Sequence, residues 1–105
     1  GFAVSGGVAQ AVVNVIKKED PTREVKVVSA QGLAECKKMM QLAAAGKYNG
    51  YLLEGMACPG GCIAGAGTLA DPARSAMMLN KYKAQATMKT AADTPYKDTL
   101  DKLKY

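Results

Sequence analysis

The chain contains no histidine. From its own residues it therefore builds no histidine general base, no Ser-His-Asp triad and no His-containing zinc site. It has only three cysteines, an odd number, and no secretion signal precedes them. A disulfide-stapled secreted domain is not expected on those grounds. Aromatics are scarce, with one Phe and five Tyr. No apolar run approaches the ~20 residues of a membrane span, and no signal-peptide pattern opens the chain. No Gly-Lys-Ser/Thr occurs, so the phosphate-binding P-loop is absent.

What remains is a chain of 105 residues, enough for one small domain. Apolar types at 49% and charged types at 22% fit a globular chain rather than a disordered one. The formal net charge is +5, from 14 basic and 9 acidic residues, which permits an anionic partner without naming one. The basic residues are spread out, among them Lys17 and Lys18, Lys37 and Lys38, Lys81, Lys83, Lys89, Lys97, Lys102 and Lys104. No basic run interleaves with aromatics, so solvated helix faces are expected and no nucleic-acid partner. The first residue is Gly1, not Met, and the expectation is a single fragment, 1–105, of a longer protein.

The patterning alternates helix and strand. Gly6-Gly7 precede Val8, Ala9, Val12, Val13 and Ile16 at helical spacing. Lys17-Lys18 fall in the last turn, where the helix dipole favours cations, and Asp20-Pro21 end the element. Residues 24–29 read as a strand through the β-branched Val25, Val27 and Val28. Residues 32–45 return to helical period, with Leu33, Cys36, Met40 and Ala43 on one stripe and Gly46 as the stop. Residues 50–54 form a second strand. Residues 56–70, dense in glycine, read as an ordered loop. Asp71-Pro72 open a helix carrying Ala73, Met77, Ala84 and Met88, and Thr94-Pro95 open a last one spaced by Tyr96, Leu100 and Leu103. The expected fold class is α/β: a small parallel sheet with helices packed on it, strand-helix-strand, then a Gly/Cys loop and two C-terminal helices, as a lobe of a larger domain. Two strands are marginal alone, so further strands are expected from residues 2–4 or from chain elsewhere.

The informative segment is Cys58-Pro59-Gly60-Gly61-Cys62. Cys36 shares an apolar stripe and reads as a core residue. Cys58 and Cys62 instead sit in a loop flanked by glycines. Zinc takes four N or S ligands, and this chain offers no second close pair. A thioredoxin-type pair has two intervening residues, not three. A radical-SAM loop needs a cysteine where Gly65 stands. Gly65-Ala66-Gly67-Thr68-Leu69-Ala70 matches a Gly-x-Gly-x-x-Ala dinucleotide fingerprint, but the strand that must precede it is replaced by the cysteine loop. Iron–sulfur ligation fits the chemistry best, because thiolates are soft ligands and glycines let backbone N–H groups approach the sulfurs. Gly60 and Gly61 lie where a side chain would crowd a cluster. A cubane takes four thiolates, so this chain supplies two and the others come from elsewhere.

The run Glu54-Gly55-Met56-Ala57-Cys58-Pro59-Gly60-Gly61-Cys62-Ile63-Ala64-Gly65-Ala66-Gly67 resembles the third signature of the iron-only ([FeFe]) hydrogenases. Ser5-Gly6-Gly7-Val8 is similar to the family's Thr/Ser-Gly-Gly-Val segment opening a helix. The resemblance covers roughly residues 1–82. It implies reversible H₂ formation from protons and electrons at the H-cluster, a [4Fe–4S] cubane joined through one cysteine sulfur to a di-iron subcluster. By resemblance, Cys58 ligates the cubane, and Cys62 bridges cubane and di-iron unit as the catalytic-site thiolate. Met56 sits beside the di-iron unit, and the Gly60-Gly61 backbone lines the cubane. The implied partners are the N-terminal part of the same protein and a redox partner such as ferredoxin, in the cytoplasm, with no membrane and no nucleic acid.

The family's first two signatures, which bring the other cubane cysteines, a lysine and a proton-donating cysteine, are absent. The glycine run that usually continues to Gly-Gly-Gly-Gln-Pro reads Gly65-Ala66-Gly67-Thr68 here. The isolated fragment is expected to be inactive and to lack the cluster. It is also expected to expose an apolar patch near residues 58–67 and to self-associate there. The alternatives are a non-catalytic iron–sulfur redox or H₂ sensor, an assembly-related member of the family, or a plain α/β module whose glycine loop holds phosphate.

Overall fold

The structure, a computed structural model, describes residues 1–100 together with 102 and 103. Helix α1 spans Gly7–Glu19, strand β1 Lys26–Gln31, helix α2 Leu33–Ala44 and strand β2 Tyr51–Met56. A single 3₁₀ turn follows at Cys62–Ala64, then α3 at Pro72–Ala84, a second 3₁₀ turn at Ala91–Asp93, and α4 at Lys97–Leu100. The fold is α/β, as the patterning implies.

The two strands pair in parallel, with Lys26 opposite Tyr51, Ser29 opposite Glu54 and Gln31 opposite Met56. The strands start and end later than apolar patterning suggests. Residues 29–31 are weak strand formers, drawn into the sheet because residues 54–56 of β2 lie beside them. Residues 2–4 form turn and bend, not a further strand, and the sheet has two strands among the described residues. Side chains alternate across β2. Gly55 faces α2, where Cys36 and Met39 fill the space a side chain would take. Glu54 faces the opposite way and reaches α1. The sheet is thus sandwiched between α1 and α2.

The core is small. Among the described residues the buried apolar ones are Ala9, Val13, Ala30 and Met39, and none of the large side chains is completely enclosed. Leu33 and Met40, expected on the inner stripe of α2, are exposed, at 76% and 60%. The inward face runs instead through Cys36 and Met39. α3 starts where Asp71-Pro72 predict, with Asp71 Oδ1 accepting from Arg74 N at 2.8 Å. It ends at Ala84, so Met88 lies beyond it. α4 is a single turn, and Tyr96 and Leu103 fall outside it. Lys104 and the Leu100 side chain lie outside the described residues.

The C-terminal segment is tied back to α1 by an ion pair between Lys18 and Asp93. Asp93 also accepts from the N–H groups of Thr90 and Lys89 and closes a capping box with Thr90. The Lys18 ammonium, followed by the Thr90 N–H, holds the Asp93 carboxyl well below the usual aspartate value of 3.8. A carboxylate with a depressed folded-state pKa adds stability at pH values above 3.8, and that contribution disappears as the pH falls further. Asp93→Asn should therefore lower the melting temperature at pH 7. The gap to the parent chain should narrow progressively below pH 3.8 and, because the pair is exposed, in high salt. Thermal melts across pH and ionic strength check this.

Candidate metal centre

The loop from Ala57 to Gly61 leaves the end of β2 and enters the 3₁₀ turn that Cys62 opens. It closes on itself through Gly61 N donating to Cys58 O at 2.9 Å, then Ala64 N to Gly61 O at 3.0 Å and Gly65 N to Cys62 O at 3.1 Å. The end of β1 fixes it from one side. Gly32 N donates to Met56 O at 2.8 Å, and Gly60 N donates to Gln31 Oε1 at 2.7 Å. The segment ahead of α1 fixes it from the other side. Ser5 N donates to Gly60 O at 3.3 Å, and Ile63 N donates to Ala3 O at 3.2 Å.

Gly61 is the pivot of that second contact. It is buried, with φ +93° and ψ −173°, a backbone region that side chains avoid. A Cβ there would come within 2.5 Å of Ala3 O and 2.6 Å of Ser5 N. The room at Gly61 is thus taken by residues 3–5 of the chain itself. The Gly6 that follows has φ +85° and acts as N-cap of α1 without offering a side chain. The first amides of α1 find their acceptor elsewhere. Val8 N and Ala9 N both donate to Glu54 Oε1 at 3.1 Å.

All three cysteines are free thiols. Cys62 is exposed, and Cys58 and Met56 are half-buried. Gly65 leaves open the space beside Cys58, since a Cβ on it would stand 3.3 Å from Cys58 Sγ. Cys36 is half-buried, with its thiol against the carbonyls of Ala30 and Met56, so it packs between α2 and the sheet. The loop thus offers two soft donors with small residues between them, a donor type that suits iron–sulfur ligation, while the Gly60 and Gly61 amides are spent on Gln31 Oε1 and Cys58 O. Among the described residues no group of three or more His, Cys, Asp or Glu could hold a metal by itself. Beside Cys62 opens an apolar depression of about 370 Å³, walled by Phe2, Val8, Val12, Leu52 and Met56. Of residues 58–67, only Cys62 lines it.

Residues 1–66 match the model of a family described as iron only hydrogenase large subunit, C-terminal domain. The match covers more than half the chain, including α1, both strands and the whole cysteine loop. The chain belongs to this family. No curated protein and no solved structure matches it. Membership in the iron-only hydrogenase family implies an iron–sulfur cofactor in the intact protein, in keeping with two soft donors on one loop. α3 and everything after it lie beyond the matched residues. No helix among the described residues is long and apolar enough to cross a membrane.

Two residues bonded around this loop are given no role by the sequence reading, in which Glu54 appears only as the first residue of the signature-like run. Gln31 holds Gly60 from the end of β1, and Glu54 holds the start of α1 from β2. For Glu54 a signal exists: a carboxylate inside an otherwise apolar strand, buried in the structure at 7% exposure. A charge so placed needs a dedicated partner.

Proposed function

We propose that this chain supplies the Cys58 and Cys62 thiolates to the [4Fe–4S] cubane of an H-cluster, in a hydrogenase that interconverts H₂ with protons and electrons. The carrying observation is the pair of free thiols on one glycine-lined loop inside the family-matched residues. When bound, the cluster supplies the redox chemistry and the iron at which hydrogen reacts. Cys58 would hold the cubane alone, and Cys62 would hold it at the side shared with the di-iron subcluster. Met56 would present an apolar thioether beside that subcluster, excluding water. The Gly60 and Gly61 amides, donated to Gln31 Oε1 and Cys58 O, would fix the loop's shape around the two thiols.

The remaining two cubane thiolates come, in this reading, from the N-terminal part of the same protein. The surface of the chain supports a further protein body packing against it. It exposes 8044 Å², whereas a compact monomer of 11.0 kDa exposes roughly 5,600 Å². Its radius of gyration is 15.9 Å, against about 13 Å for a compact chain of this length. The cluster, a ferredoxin-like electron partner and a cytoplasmic setting belong to that intact protein. A second reading, a non-catalytic redox or H₂ sensor, is favoured by the Gly65-Ala66-Gly67-Thr68 run, which departs from the family's glycine-rich ending.

Anaerobic reconstitution with iron and sulfide tests the ligand assignment. The 105-residue chain should take up iron weakly and without a stoichiometric cubane. Cys58→Ser and Cys62→Ser should abolish that uptake, and Cys36→Ser should leave it unchanged. A stable, fully loaded cubane on the monomer, or uptake indifferent to both loop serines, would overturn the assignment.

A further inference from the structure

We propose that Glu54 is a positioning residue for the Cys58–Cys62 loop, acting through the N-terminus of α1. Its consequence for a cluster rests on the ligand assignment above. The side chain lies 93% away from solvent, being 7% exposed, and uses one oxygen twice. Oε1 accepts from both Val8 N and Ala9 N, while Oε2 is shielded and has no partner among the described residues. A buried, half-paired carboxylate is costly to keep. If α1 needed only a cap, Ser or Asp at position 6 would cap it locally. Gly6 stands there with φ +85°, and the acceptor is brought from 45 residues away.

What that distant acceptor achieves is visible in the connectivity. β2 runs through Met56 directly into the cysteine loop. The loop is bonded to Ala3 and Ser5. Those residues lead through Gly6 into α1, and the first amides of α1 return to Glu54 on β2. Among the described residues, the hydrogen bonds that close this circuit between α1 and β2 run through the carboxylate. The helix end is also the site of positive partial charge, so an anionic acceptor holds it more firmly than a neutral one. Cutting the circuit at Glu54 should free residues 3–5 and, with them, Gly60 and Ile63, while the β1–β2 pairing persists.

Amide hydrogen exchange on the metal-free 105-residue chain reads this out. In Glu54→Ala, exchange of the Ser5 and Ile63 amides should accelerate at least about tenfold more than exchange of the paired strand amides of β1 and β2. Val13→Ala removes buried packing from the same helix but not its N-terminal bonds, and it should move loop and strand amides alike. Glu54→Gln retains a carbonyl oxygen for the same two donors, so the loop amides should stay within about threefold of the parent chain. Should Glu54→Ala not fold, Glu54→Asp, too short to keep both bonds, should show the same preferential loosening. Loop amides that track the strand amides in the Ala or Asp variant overturn the proposal, as does a Gln variant as loose as Ala. Failure of the ligand assignment looks different: iron uptake indifferent to Cys58→Ser and Cys62→Ser, with the exchange pattern intact.

Discussion

Met39→Ala should cost about 2–5 kcal/mol and remove a large share of the chain's cooperative stability. Met40→Ala, one residue further on, should cost no more than about 0.5 kcal/mol. The two side chains have the same composition and sit on the same helix, so the contrast isolates burial. Met39 is 6% exposed and packs beside Gly55 of β2, whereas Met40 is 60% exposed. Among the described residues Met39 is the largest of the buried apolar ones; the others are Ala9, Val13 and Ala30. Its truncation leaves a cavity that two alanines and a valine cannot collapse to fill. Total stability for so small a core lies at the low end of the usual 5–15 kcal/mol, so the loss takes a large fraction of it. Urea midpoints followed by circular dichroism measure both variants. Equal costs for the two would mean that α2 does not present Met39 to the sheet.

The same pair shows where sequence patterning stops. Leu33, Cys36, Met40 and Ala43 form an acceptable helical stripe, and so do Cys36, Met39 and Ala43. Periodicity cannot choose between them. The choice is made by Gly55 on the sheet, which leaves room opposite Cys36 and Met39. Helix starts were readable where a local rule suffices, as at Asp71-Pro72, where the cap and the fixed φ of proline are adjacent in sequence. Strand ends were not, because pairing register rather than propensity carries β1 on to Gln31. At the site, composition was enough to pick out Cys58 and Cys62. Glu54 is present in the sequence reading only as the first residue of the signature-like run, since its bonds go to two amides more than 40 positions away.

Gly61→Ala is the substitution in the loop expected to do most damage, about 2–6 kcal/mol. Two costs combine. A non-glycine residue at φ +93° and ψ −173° carries about 1–3 kcal/mol of backbone strain. The added methyl then meets Ala3 O at 2.5 Å, Ser5 N at 2.6 Å and Val4 C at 2.9 Å, and overpacking costs a further 1–3 kcal/mol, approximately. All three neighbours are backbone atoms, so no side chain can swing aside to make room. Relief requires residues 3–5 to move off the loop, which breaks the bonds from Ser5 N to Gly60 O and from Ile63 N to Ala3 O. Gly67→Ala is the matched control. Its φ is +86°, but nothing lies within 4 Å of the added methyl, so it should show only the conformational cost of about 1–2 kcal/mol. Chemical denaturation gives the two costs. The amide resonances of Ser5 and Ile63 show whether the segment has lifted. A Gly61→Ala chain no less stable than Gly67→Ala, with those resonances unmoved, would mean that residues 3–5 do not bear on the loop. A destabilised Gly61→Ala chain that also loses iron uptake would connect the glycine to metal binding through the placement of the loop, since the methyl itself points into protein backbone.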